Sequence, residues 1–279
     1  MLLANLPDNA AAARGLTVLA TLNATPAWAV VPGTPVLSGR PASAADYGRF
    51  AGEVATRYRG RIAAYEIWNE PNAAYFYKPT PDPAGYTDLL KADYPAIKAA
   101  DHHASVVTGG LGAIVDHGEM AVDAVKFVKG MYAAGARDYF DALGYHPYQY
   151  SMMFSEGGYH PDSPVSQLAN IRRVMLDNGD RAKKIWATEY GEPSSIAGEG
   201  GQAVYLADML KNWKRLPYAG PVYVYTVRDR DSRSAESVDT LGLFRHDGTP
   251  KPALDAVTVA LRDDAARPPS RVLGDTEPD

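Results

Sequence analysis

Residues 62–72, IAAYEIWNEPN, are an apolar run that closes on a carboxylate, Glu70, set between Asn69 and Pro71. Residues 183–193, KKIWATEYGEP, do the same with Glu189. Short, near-continuous apolar runs are what strands of a parallel sheet look like when both faces are covered. Working outward, four more runs share the pattern: LTVLATL (16–22), ASVVTGG (104–110), FDALGYH (140–146) and PVYVYTV (221–227). Segments of helical period lie between them. Phe50, Val54 and Tyr58 recur at intervals of four and predict a helix over 44–59; Pro81 and Pro83 open one over 83–100. Further helices are expected near 119–134, 164–178, 201–214 and 251–262. Strand and helix thus alternate six times, the order of a parallel sheet clothed in helices.

The connections are lopsided. Helix-to-strand links are short: ARG (13–15), RGR (59–61), AGP (219–221). Strand-to-helix links are long and aromatic, as in NATPAWAVVPGTPVLSGRPAS (23–43), NEPNAAYFYKPTPDP (69–83), PYQYSMMFSEGGYHPDSP (147–164) and RDRDSRSAESVDTLGLFRHDG (228–248). In a (β/α)8 TIM-type barrel the loops after the strands build the active face, while the opposite loops only connect. The expected fold is therefore α/β, a (β/α)8 barrel. Six units are counted instead of eight, and NAAAARG (9–15) reads as the end of a helix, so the first two strand–helix units are the ones expected to be lacking. The expected organisation is one barrel domain over 1–262 and a disordered tail over 263–279, which is rich in Pro, Asp and Arg.

Composition removes several classes of function. The chain has 279 residues, 46% of them hydrophobic, enough for a sizeable core. A net charge of −5 with scattered Lys and Arg gives no footprint for a nucleic acid. No apolar run has the length of a membrane span, and the opening MLLANLPDNAAAARG lacks the basic and apolar regions of a signal peptide. With no cysteine there is neither a disulfide nor a thiolate metal site, and no Gly-rich phosphate fingerprint follows any strand. No metal and no organic cofactor is implied.

What remains is the pair of glutamates, three strand–helix units apart, a spacing that sets two carboxyls obliquely across a barrel mouth. Glycoside hydrolysis needs two carboxyls flanking one bond, one to give a proton to the leaving oxygen and one to attack carbon or activate water. Asn69 could bond a sugar hydroxyl, and the run ending YHPY places His146 and Tyr148 at another strand end, where a phenol could donate to a carboxylate and hold it ionised. Trp28, Tyr75, Phe76, Tyr77 and Tyr150 offer flat faces for sugar rings.

IWNEPN, YHPY and WATEYGEP, each at a strand end and in that order, resemble the clan A glycoside hydrolases, most closely family 39 and its bacterial endoglycosidase relatives, and more loosely family 5. The likeness spans residues 8–262. It implies a retaining hydrolase of a β-linked poly- or oligosaccharide, with Glu70 as acid/base, Glu189 as nucleophile and Asn69 on the sugar 2-hydroxyl. His146 and Tyr148 would line the subsite, Tyr148 near Glu189. Beside the likeness, Trp28, Tyr225 and Arg228 are further candidate substrate contacts, with Asp229 next to Arg228 a candidate of the same rank. It also implies a carbohydrate partner and a secreted or cell-envelope full-length protein, though without a leader in this sequence cytoplasmic residence stays open. Two departures stand out: no residue matches the clan's arginine after strand two, and Val227 stands where a tryptophan commonly floors the sugar site. An inactive or merely carbohydrate-binding remnant, and a transglycosylase, are the alternatives these residues leave open.

Plainer readings compete for other residues. Glu192 reads as a loop or capping carboxylate, His102 and His103 as surface residues, and Trp68 and Trp186 as packing. Asp116, His117 and Glu119 are too closely spaced, with no distant partner set, to be read as metal ligands. His146 is balanced between a satisfied core histidine and a site residue.

Overall fold

The computed structural model describes residue 11 and residues 13–265. Its strands are β1 (Leu19–Leu22), β2 (Ala64–Ile67), β3 (Ser105–Thr108), the short β4 (Leu111–Gly112), β5 (Ala142–His146), β6 (Lys184–Tyr190) and β7 (Ala219–Val224). They form one sheet in the order β1-β2-β3-β5-β6-β7, with β4 paired to β5, and every pairing is parallel. The helices are α1 (Ala44–Arg57), α2 (Pro83–Ala100), α3 (Ala124–Ala133), α4 (Pro164–Asp177), α5 (Ser194–Trp213) and α6 (Pro252–Ala265). Strand and helix alternate throughout, so the architecture is a partial (β/α)8 barrel.

Helix starts follow local chemistry. Ser43, Asp82, Asp123 and Ser163 each accept a backbone N–H from the first turn of α1, α2, α3 and α4, and Pro83 and Pro164 occupy first-turn positions where no N–H is needed. α3 begins later than its periodicity suggests. The preceding loop is strapped to the NEPN stretch instead: Ala74 N–H donates to Met120 O and Val122 N–H to Asn72 O.

The chain divides into two compact units. The first comprises Met1–Tyr190 and Leu216–Val224 and contains the whole sheet. In its core Ala64, Val107 and Ala142 cluster with Leu19 and Trp186 against them, so Trp186 is packing. Two residues further along their strands, on the same face by alternation, come Thr21, Glu66, Gly144 and Thr188. The face is thus layered, with an apolar floor beneath a polar tier. Trp68 is fully buried and packs edge-on to Tyr77, itself buried, so Tyr77 anchors its loop and forms no subsite wall.

The second unit, Gly191–Arg215 with Tyr225–Asp279, holds α5 and α6 and the long loop between β7 and α6. A fully buried pair, Lys251 Nζ to Asp229 at 2.8 Å, ties it together. The ammonium also donates to Ser194 Oγ and Thr240 O, while Asp229 accepts the Gly242 N–H and the Ser232 hydroxyl. Asp229 is therefore spent on structure and is no sugar contact. α6 extends to Ala265, so the first residues of the expected tail are helical, and the rest lies outside the described residues.

Candidate active site

Glu70 follows β2 on a backbone that L residues seldom adopt: Trp68 has φ 70° and Glu70 φ 43°. Such left-handed conformations persist only where the surroundings hold them, and they cluster at functional sites. Here Trp68 N–H donates to Leu22 O at 2.9 Å, its indole N–H to Phe76 O at 2.9 Å, and Glu70 N–H to Gly110 O at 3.0 Å. Asn72, fully buried, completes the clamp: its amide donates to Gly112 O and Val122 O and accepts the Gly112 N–H. The turn that turns Glu70 inward is thus fixed from β1, β4 and its own loop.

His146, at the end of β5, is fully buried between the two glutamates. Its Nδ1 lies 3.0 Å from Glu70 Oε1 and 3.9 Å from Glu189 Oε2, and its Nε2 lies 3.0 Å from Thr188 Oγ1. The two reaches from one nitrogen bound the separation of those carboxylate oxygens at about 7 Å, which admits the roughly 5–5.5 Å of a retaining pair. Tyr148 donates its hydroxyl to Glu189 Oε2 at 3.0 Å and stacks on Tyr190. The side chains of Glu70 and Glu189 remain 16% and 30% exposed, open to a ligand. His146 lies within ion-pair reach of Glu189 and carries charge there when protonated.

The charges are coupled through the histidine. Burial alone would lower the His146 pKa, but its bond to Glu70 and the charges of Glu189, Glu70 and Glu66 outweigh that and leave it raised. Glu189 is also raised: burial pushes it up, His146 and the Tyr148 bond pull it down, and Glu70 and Glu66 push it up further. Burial, then the Glu189 charge, hold the Tyr148 phenol far above its ordinary value, so it stays a donor.

Three residues that the motifs did not single out complete the site. Thr188 holds the far side of the His146 ring. Glu66, a carboxylate in mid-strand, is 3% exposed and accepts from Thr21 Oγ1 at 2.8 Å and Gly110 N–H at 3.0 Å. Its sequence signal was a charge in an otherwise apolar strand, which burial makes costly unless it is bonded. Gly110 is the third. A Cβ there would stand 2.0 Å from His146 Nε2 and 2.6 Å from Thr188 Oγ1. Gly110→Ala must displace the ring or the backbone, and we expect a loss of about 1–3 kcal/mol, read as a lower midpoint in thermal unfolding.

The other expected residues separate. Asn69 is half-buried beside Glu70. Trp28 is 74% exposed on the loop after β1, beside a cavity of about 270 Å³ lined also by Tyr47 and Phe50. Tyr75 is exposed and Tyr150 packs on Tyr148. Tyr225 and Arg228 belong to the second compact unit, since β7 ends at Val224, earlier than the apolar run implied. Arg228 is exposed there and bridges Phe244 through its backbone. His102 and His103 stack on each other at the surface, and Asp116 is taken by Lys126 and the Asp123 N–H.

Glu192 differs most from its sequence reading. It neither caps α5 nor meets solvent; it is fully buried with no partner on either oxygen, and burial raises its pKa to about 7. The folded state thus binds a proton that the unfolded chain releases at its ordinary 4.5. That stability is complete below 4.5 and is lost as pH rises through 7. Glu192→Gln is expected to match the wild type at pH 4 and exceed it by about 2–3 kcal/mol at pH 8, measured by denaturant unfolding at both pH values.

No family model and no curated protein matches the sequence. Solved structures do match. A family 39 glycoside hydrolase from Bacteroides cellulosilyticus shares 23% identity and superposes with a TM-score of 0.72 over 91% of this chain and 52% of its own. A glucosidase from Croceicoccus marinus gives 13%, 0.69, 91% and 51%. A family 5, subfamily 18 glycoside hydrolase from Streptomyces cattleya, in complex with GlcNAc, gives 18%, 0.68, 94% and 65%. What these matches establish is a shared fold, the barrel of alternating strands and helices. At these identities the likeness is one of fold, and the chain spans about half the length of the first of these structures.

Proposed function

We propose that this chain carries the catalytic site of a retaining glycoside hydrolase acting on a β-linked oligo- or polysaccharide. The observation that carries the reading is the convergence of Glu70 and Glu189 on one buried histidine, on the face where barrel enzymes build their sites. The fold it shares with glycoside hydrolases of families 39 and 5 supports it.

In the first step a Glu189 oxygen attacks the anomeric carbon while Glu70 gives its proton to the leaving oxygen. The glycosidic C–O bond breaks and a glycosyl ester forms on Glu189. In the second step Glu70, now a carboxylate, takes a proton from water, whose oxygen attacks the same carbon and releases Glu189. Tyr148 and His146 favour ionised Glu189 against the burial that opposes it. Asn69 is assigned to the sugar 2-hydroxyl, and the exposed Trp28 and Tyr75 to stacking on sugar rings. The test is proton NMR of the hydrolysis of a panel of aryl β-glycosides and β-linked oligosaccharides. The β-anomer forming first supports retention; the α-anomer forming first contradicts it.

A further inference from the structure

We infer that Glu66 is a positioning residue for the Glu70–His146–Glu189 group, acting through the peptide of Gly110 and through its own buried charge. The Gly110 peptide is a relay. Its N–H donates to Glu66 Oε1 at 3.0 Å, its carbonyl accepts the Glu70 N–H at 3.0 Å, and its bare Cα faces His146 Nε2 and Thr188 Oγ1. Fixing that one residue fixes both the left-handed backbone of Glu70 and the floor on which the His146 ring rests. Thr21 Oγ1, donating at 2.8 Å, fixes the other Glu66 oxygen, so both oxygens accept. Among the described residues no lysine or arginine pairs with this buried carboxylate, so it acts on the ionisable groups around it. The ionisable groups it faces are His146, Glu189, Tyr86 and Tyr223, while His146 itself faces Glu70, Glu189, Glu66 and Tyr148. The Glu66 charge favours the positive form of His146.

A glutamate retained only for packing would tolerate an isosteric amide. Glu66→Gln keeps a carbonyl for the Gly110 N–H and removes the charge. The experiment follows the ring carbons of ¹³C-histidine-labelled protein by NMR across pH; the chain has six histidines, and the His146 signal is assigned by its loss in His146→Asn. In Glu66→Gln the His146 midpoint is expected about one pH unit lower, and kcat about tenfold lower with KM unchanged. Thr21→Val, an exposed position, is expected to lower the midpoint less, and it decides the matter if Glu66→Gln does not fold. A wild-type midpoint in the folded variant, or a wild-type kcat, overturns the assignment. The kinetic arm rests on the glycosidase reading and the titration does not: a wild type that hydrolyses nothing defeats that reading and leaves the midpoint to judge Glu66.

Discussion

Glu189→Gln is expected to lower kcat by about 10⁴-fold or more on every substrate the wild type accepts, with the fold intact. The amide has the shape of the carboxyl and can still accept the Tyr148 hydroxyl, but its oxygen is too weak a nucleophile to form the glycosyl ester. A residue with only a binding role would raise KM and spare kcat, so the two constants separate the readings. The wild-type pH profile carries the same information. Turnover needs ionised Glu189, and burial holds its pKa above the ordinary 4.5, so the acid limb of kcat/KM should fall above that value. His146 and Glu189 titrate as a coupled group, so the limb belongs to the pair.

The second large effect is expected at Glu70. Glu70→Ala should cost about 10²–10⁴-fold on substrates whose leaving group needs a proton, and far less in the first step with a dinitrophenyl glycoside. With that activated substrate the glycosyl ester on Glu189 accumulates, because no base remains to activate water. Azide needs no base. It should restore turnover and yield a β-glycosyl azide, seen by mass spectrometry and NMR. If azide at molar concentration produces neither rescue nor the glycosyl azide, Glu70 is not the acid/base.

Much of this was legible in the sequence, because two signals there are strong. Six apolar runs separated by helical periods can hardly form anything but a parallel sheet with helical crossovers, and the six main strands lie within those runs except that β7 starts earlier, at Ala219. Glu70, Glu189, His146 and Tyr148 were visible because each ends such a run, and the structure brings all four together. What stayed hidden depends on contacts that a linear pattern does not carry. Nothing in the linear pattern shows that Glu66 is bonded by Thr21 and Gly110, which come from neighbouring segments. Gly110 closes the run 104–110, and nothing local shows that His146 lies against its Cα. β7 ends at Val224, so Tyr225, expected inside the run 221–227, falls beyond the strand. Glu192 lies in the loop its reading gave it, but no local signal records burial there without a partner.

The central claim is that Glu189 bonds covalently to the sugar. Incubation with 2-deoxy-2-fluoro-β-glycosides bearing dinitrophenyl leaving groups slows both steps and traps the ester. Intact-mass measurement followed by peptide mapping should show one fluorosugar per chain, on the peptide containing Glu189, and none in Glu189→Gln. An adduct on any other residue, or active protein that turns over the parent glycosides yet is never labelled, would contradict the account.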